Sequence, residues 1–364
     1  MSNKALEYVG SRISAENLTG FCARVMQAFG LSADHARQTA EVLVTTDTWG
    51  THSHGTRQLL PLMHNVRKGG LFADAEPQIL TDGPGFAVVD GNYAMPMVTS
   101  RFAMQAAMDK ARTAGIAYSA VRHSGHFGAA GYYAVMAAEH DMIGISMTNA
   151  DICMTVPGAR SSVMGTNPIA YAVPAGKERP VFLDIATSVV AISKVIAAKT
   201  AGKPIPEGWL VDERGLPTTS TDTYPDKGAV LPMAGHKGYG LALLVEILTG
   251  VLTGASFLSG IKRWLAPEPE PADEGHAFLA VNVESLMPLD QFKSRMDAMI
   301  DEVRSAPKAE GSDRIYLPGE MEWERRDAAL RDGLQLPDYV LINLFAVAEQ
   351  TEKTDELIAL LKKE

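Results

Sequence analysis

Cysteine is nearly missing from this chain. Only Cys22 and Cys153 occur in 364 residues, in unrelated surroundings and without CxxC or metal-ligand spacing. That usage excludes a thiol redox motif or thiolate metal knot and fits a reducing compartment, so the expected location is cytoplasmic. Clustered positive charge is lacking too. The net charge is −10, which argues against nucleic acid or an anionic membrane surface as a partner. No apolar run is clean enough for a membrane span, which needs about 20 uninterrupted residues. The strongest, GYGLALLVEILTGVLTGASF, holds Glu246 and three internal glycines and reads as a buried helix. The first residues, MSNKALEYVGSRIS, have no apolar core of signal-peptide length.

Several nucleotide and hydrolase signatures are also missing. There is no GxGxxG followed about twenty residues on by an acid, no GKS/GKT loop and no GxSxG elbow, so the Rossmann, P-loop and serine-hydrolase patterns have no anchor. What is present is ordinary globular chemistry, 46% hydrophobic and 21% charged, with ample material for a core.

Along the chain, Ser32 is placed to cap a helix whose Ala36, Ala40, Leu43, Val44 and Thr48 recur at helical spacing. A second helix is predicted from near Gly55 to the Gly69-Gly70 pair. PQILTD and GFAVVDG flank a turn-like TDGPG and read as a hairpin. An amphipathic segment runs from Pro96 to Ala114. Short β-rich runs then dominate to about Pro232, interrupted by a helix predicted from Ser188 to Lys199. The apolar helix is expected over 238–253, LAPEPEPADEG is a solvated loop, HAFLAVNV a strand and Leu289–Ser305 a helix; from Glu322 the tail is helical in three pieces. The pattern predicts helical segments at 1–75 and 322–364 around a sheet core at 76–321, joined as one composite unit.

Three groups of residues carry candidate chemistry. VRHSGHFGAAGYY (121–133) reads as strand, glycine loop and helix. Its glycines would let a ligand approach a helix N-terminus, or they form only a tight turn, although a turn gains nothing from His126. In THSHGTRQ (51–58), His52 and His54 flank Ser53 at the junction of two predicted helices. Imidazole exchanges protons near neutral pH. The pair would otherwise be metal ligands of a hydrolase, or part of a plain helix cap. The third group is GTNP (165–168), DIATS (184–188), GHKGYG (235–240) and LPGE (317–320). Asp184 interrupts an apolar run and needs a partner, for which a histidine is natural. Lys237 stands just before a helix, where a lysine can meet phosphate.

Together these stretches resemble the malate/L-lactate dehydrogenase family that lacks a Rossmann fold. The matching segments are SHG (53–55), GHFGAAGYY (125–133), GTNPIAYAVP (165–174), DIATSVVA (184–191), GHKGYGLALLVEILTGVLTGA (235–255), GHAFLAVNV (275–283) and LPGE (317–320). The resemblance implies an α/β fold with a mainly antiparallel, non-Rossmann sheet of the sulfolactate-dehydrogenase type and a helical layer from both termini. It also implies a homodimer, NADH or NADPH as hydride donor, and a small 2-oxo acid or cyclic imino acid as acceptor. It makes His54 the proton donor/acceptor, with His126 as second histidine; the partner that Asp184 needs is expected to be the His54 imidazole, which it would orient or charge. Cofactor contacts would fall on Asp184, Ile185, Ala186, Thr187, Ser188, Val189, His236, Lys237, Pro318, Gly319 and Glu320, and substrate contacts on Ser53, Arg57, Gln58, Thr166 and Asn167.

One departure stands out. Family members usually carry an arginine four residues after the SHG histidine, to grip the substrate carboxylate. Here that position is Gln58 and the arginine is Arg57, rotated about 100° on a helix. A neutral amide is no substitute for a guanidinium fork, which favours a sugar-derived or otherwise polar substrate. A metal-dependent hydrolase built on His52 and His54, or a non-catalytic nucleotide-binding sensor, are the competing readings.

Overall fold

Two serines start the first helices among the described residues. In the computed structural model, which describes residues 8–362, Ser14 caps α1 (Ala15–Ala28) and Ser32 caps α2 (Ala33–Thr48). Each hydroxyl accepts a backbone N–H that the helix leaves open. A short 3₁₀ turn (Thr56–Gln58) then leads into α3 (Leu59–Lys68). The hairpin forms as predicted, with β1 (Gln78–Gly83) antiparallel to β2 (Phe86–Asp90). Helix α4 (Pro96–Ala114) crosses back to β3 (Ile116–Ser124), so that β2 and β3 run parallel, the arrangement a helical crossover permits.

The remaining main-sheet strands are β4 (Met142–Thr148), β5 (Ile169–Val173), β6 (Val181–Ile185) and, much later, a strand at Glu274–Asn282. That late strand, β10 below, inserts between β3 and β4 and pairs antiparallel with both. The seven-stranded order is β1-β2-β3-β10-β4-β5-β6, antiparallel except at β2–β3. A small second sheet holds β7 (Leu210–Val211), β8 (Pro217–Thr218) and β9 (Ala229–Val230). Of the β-rich run GWLVD (208–212), only Leu210 and Val211 pair as a strand.

Helix α5 (Ala130–Ala138) follows β3 and packs with α4 on one face of the sheet. The helices of both chain ends close over that side. Ile13 bridges Leu334, and Trp49, Phe182 and Trp323 form a ring cluster with centroids 5.1–6.2 Å apart. The C-terminal pieces are α9 (Glu320–Asp332), α10 (Asp338–Ala348) and α11 (Thr354–Ala359), preceded by α8 (Leu289–Ser305) at its predicted bounds.

Two helices depart from expectation. Helix α6 starts at Ile192 rather than Ser188. Ser188 bridges Pro232, its hydroxyl donates to the Val190 carbonyl, and Val189 N–H donates to Leu231, so extended pairing holds that stretch out of the helix. Helix α7 (His236–Glu246) widens into a π-turn over Ile247–Val251, where β10 presses Gly275 against the Thr249 carbonyl. Among the described residues no helix is long and apolar enough to cross a membrane.

Candidate active site

The histidine-rich turn after α2 is tied by an acid that periodicity hides. Asp47, 2% exposed in the last turn of α2, accepts hydrogen bonds from the Thr56 amide at 2.9 Å and the Thr56 hydroxyl at 2.5 Å. Its other oxygen lies 2.8 Å from His52 Nδ1. His52 therefore turns toward the helix. His54 has a different partner, the Ser53 hydroxyl, 2.8 Å from its Nδ1. Among the described residues no group of three or more His, Cys, Asp or Glu is arranged to hold a metal.

The glycine loop after β3 brings His126 to His54. The two rings stack with centroids 5.5 Å apart and planes 21° apart, and on its other face His126 stacks on Trp264 at 5.3 Å and 17°. Gly128 N–H donates to His126 Nδ1. Beneath the loop lies His276, fully buried, its nitrogens 2.8 Å from the Thr148 and Ser124 hydroxyls and its ring 4.6 Å from that of Phe127. Tyr133 OH donates to the Phe127 carbonyl.

Asp184 reaches this loop from β6, and its partner is not the histidine expected from the sequence. Its Oδ2 accepts Gly131 N–H at 2.7 Å at the start of α5. Among the described residues no hydrogen bond or ion pair joins it to an imidazole. A carboxylate satisfies a helix N-terminus well, and the approach is close, since a Cβ on Gly131 would lie 3.0 Å from the Asp184 side chain. The loop therefore presents a histidine, and its helix end is closed to phosphate.

Burial sets the charge states. Desolvation, helped by the positive charge of Arg57, lowers His54 to about 4. Desolvation and the neighbouring His54 lower His126 to about 3, and burial does the same to His276. All three imidazoles are neutral at pH 7. Burial raises the Asp184 carboxyl to about 6 even though the Gly131 amide opposes it.

Gln58 and Arg57 part company. Gln58 is 8% exposed. Its amide donates to the Ser53 carbonyl at 2.7 Å and its oxygen accepts Trp264 Nε1–H at 3.2 Å. Arg57 lies on the other side of the 3₁₀ turn with its guanidinium carbon 5.7 Å from the Tyr339 ring centroid. Among the described residues no carboxylate pairs with it. Thr166 and Asn167 serve other segments. Thr166 O accepts both the amide and the hydroxyl of Thr187, while buried Asn167 donates to Glu246 at 2.6 Å and to the Ala242 carbonyl.

The segments expected around a dinucleotide lie side by side. Val189 N–H donates to Leu231, and Met233 N–H to Thr187, which lays 184–189 along the approach to α7. Pro318 O accepts Phe182 N–H, so Pro318-Gly319 abuts β6; Ile185 ends that strand and Ala186 follows it. Helix α7 begins with no side-chain cap, and Ala234, Gly235, His236 and Lys237 are exposed there. Uncapped N–H groups beside a lysine and a histidine fit an anionic dinucleotide. Glu320 does not face such a ligand. It bonds Arg304 and the Leu317 amide and pairs with Arg314.

The sheet, antiparallel except at one strand pair, is not of the Rossmann class, and comparison with known proteins identifies the family. A profile of the malate/L-lactate dehydrogenase family matches residues 13–344. Malate dehydrogenase from Pyrococcus abyssi is 37% identical over 93% of this chain and 94% of its own length. Ureidoglycolate dehydrogenase (NAD(+)) from Escherichia coli is 30% identical over 90% and 93%. The structure of sulfolactate dehydrogenase from Methanocaldococcus jannaschii superimposes with a TM-score of 0.86 at 34% identity, over 93% of this chain and 97% of that one. The chain belongs to the malate/L-lactate dehydrogenase family and is a dehydrogenase/reductase of that kind.

Proposed function

We propose that this enzyme uses NADH or NADPH to interconvert a small 2-oxo acid, or a cyclic imino acid, with the corresponding 2-hydroxy or amino acid, and that His54 carries the proton. The observation behind this reading is a neutral imidazole, oriented by Ser53 at 2.8 Å, beside an arginine with no carboxylate partner among the described residues. The nicotinamide, when bound, supplies or accepts the hydride. In the oxidising direction, neutral His54 donates Nδ1–H to Ser53 and takes the hydroxyl proton on Nε2. In reduction the imidazolium returns that proton to the oxygen or nitrogen. Arg57 receives the carboxylate, and that neutralisation makes the imidazolium easier to form. His126 lines the same pocket. His236, Lys237 and the open end of α7 hold the phosphates, with Asp184 to Val189 and Pro318-Gly319 along the rest of the dinucleotide.

The assembly is a homodimer. Leu241, Leu244, Ile247, Val251 and Leu252 are exposed along one helix, and an apolar stripe of that extent is accounted for by a second copy.

The test is a panel of 2-oxo, imino and sugar acids assayed with each reduced cofactor, for the native chain and His54→Ala. General acid–base catalysis contributes about 10²- to 10⁴-fold, so turnover falls by that factor while cofactor titration stays unchanged. Near-native turnover by the variant would remove His54 from the mechanism.

A further inference from the structure

LAPEPEPADEG (265–275) reads as a solvated Pro/Glu-rich loop, yet the stretch 261–273 forms a closed strap across α3. Lys262 N–H donates to the Ala272 carbonyl and so brings the strap's ends together. His64 Nε2 is 3.0 Å from the Pro267 carbonyl, Lys68 pairs with Glu268 at 3.0 Å, and Asn65 reaches the Trp264 carbonyl at 3.4 Å. Compact loops with joined ends often carry function. This one buries two large apolar side chains, Ile261 and Trp264, and the larger, Trp264, is only 6% exposed.

That indole does more than fill space. Its face lies on His126 at 5.3 Å and 17°, nearly parallel, and His126 in turn stacks on His54. Its N–H has one partner, the Gln58 oxygen, while the Gln58 amide holds the Ser53 carbonyl. A continuous path therefore runs from the strap through Trp264 and Gln58 to the backbone of Ser53, whose hydroxyl orients His54. Leaving the indole N–H of a buried Trp unmatched is costly, so Gln58 and Trp264 require each other.

We propose that Trp264 is a positioning residue of the active site, latched by Gln58 so that its indole forms the wall that holds His126 against His54. The inference rests on the oxidoreductase reading for its catalytic meaning. It assigns position 58 to the strap and leaves carboxylate recognition to Arg57.

Histidine-ring NMR on the full chain tests this without any turnover. In the native protein and in Trp264→Phe, which keeps a flat ring on His126, that imidazole stays neutral from about pH 7 to pH 5, below the ordinary imidazole range. Trp264→Leu keeps an apolar side chain but opens one ring face to water, and His126 then protonates within that window. In parallel, kcat/KM for the best acid falls about tenfold in Trp264→Leu, a transition-state loss recovered largely by Phe, with cofactor titration unchanged. Unaltered ring titration and kcat/KM in folded Trp264→Leu, or equal losses in the Phe and Leu variants, would overturn the proposal. If Trp264→Leu does not fold, Gln58→Leu decides the matter. It breaks the latch, leaves the buried indole N–H unmatched and keeps the ring on His126, so it is expected to lower kcat/KM while His126 stays neutral as in Trp264→Phe, and a native kcat/KM would count against the latch. Failure of the native chain to reduce any acid would sink the oxidoreductase reading while the ring titration still judged the wall.

Discussion

Adjacent residues Arg57 and Gln58 have opposite fates because the turn that carries them is 3₁₀, with Asp47 drawing Thr56 inward. Gln58 is buried between Ser53 and Trp264, and Arg57 projects toward Tyr339. Gln58→Arg, which restores the family pattern, should therefore fail to improve carboxylate affinity. It sets a guanidinium donor against the indole N–H, and a lower melting temperature with a reduced kcat/KM is expected. Arg57→Leu has two expected effects. KM for the acid rises, and the acidic limb of kcat/KM in the oxidising direction moves up from about 4, because a charge that disfavoured imidazolium is gone. The sign follows from a base that must be neutral, with activity lost as pH falls through its pKa. A pH–rate profile of both proteins checks it. Lys237→Ala should weaken NADH and NADPH titrations without moving that limb.

At the scale of elements, the site depends on β10 fitting tightly between its neighbours. A Cβ on Gly275 would lie 1.7 Å from the Thr249 carbonyl oxygen, a backbone atom that cannot turn aside. Gly275→Ala must push the π-turn away from the sheet beside His276. Overpacking costs about 1–3 kcal/mol, which urea unfolding would read as a lower midpoint. The histidines of the glycine loop and of SHG were legible in the sequence because imidazole has no role in a plain turn. Asp47 was not singled out, although it falls one turn beyond Leu43 and Val44 on the buried stripe of α2, and an acid at a core position signals a local knot. Trp264 was hidden by its neighbours, since it stands just before LAPEPEPADEG, whose composition describes the outer surface of the strap and says nothing of the indole beside it. The start of α6 was misplaced because the pairing of Ser188 with Pro232 spans more than forty residues.

For the whole molecule, buried groups of opposite sign counterbalance one another. Three imidazoles have folded-state pKa values of about 3 to 4, below the ordinary value of 6.5, so their contribution is present above 6.5 and lost as pH falls toward 4. Asp184, raised to about 6, acts the other way: its contribution is complete below the ordinary carboxyl range and is lost as pH rises through 6. Glu274, also raised by burial, joins it. Each unbalanced proton is worth about 1.4 kcal/mol per pH unit. Asp184→Asn removes one opposing group and keeps an acceptor for Gly131, so its melting temperature should fall more steeply than the native one between pH 6 and 4. Parallel thermal scans would show the difference. The apolar helix gives a second expectation at this scale. Leu244→Glu with Val251→Glu should shift the mass in light scattering from two chains to one.

The sequence by itself determined the elements that depend on near neighbours. Caps, periodicity and turn residues specified the hairpin, α4, α8 and the helical tail, and ordered motifs specified the family, because these signals reside in residues a few positions apart. Tertiary structure alone decided which partners the polar groups found. It placed a strand from position 274 between two that precede position 149, gave Asp184 to a helix end, gave Gln58 to a tryptophan two hundred residues away and set Arg57 over Tyr339. Those choices turn on desolvation and close packing among distant segments, and no local pattern records which buried donor will meet which acceptor.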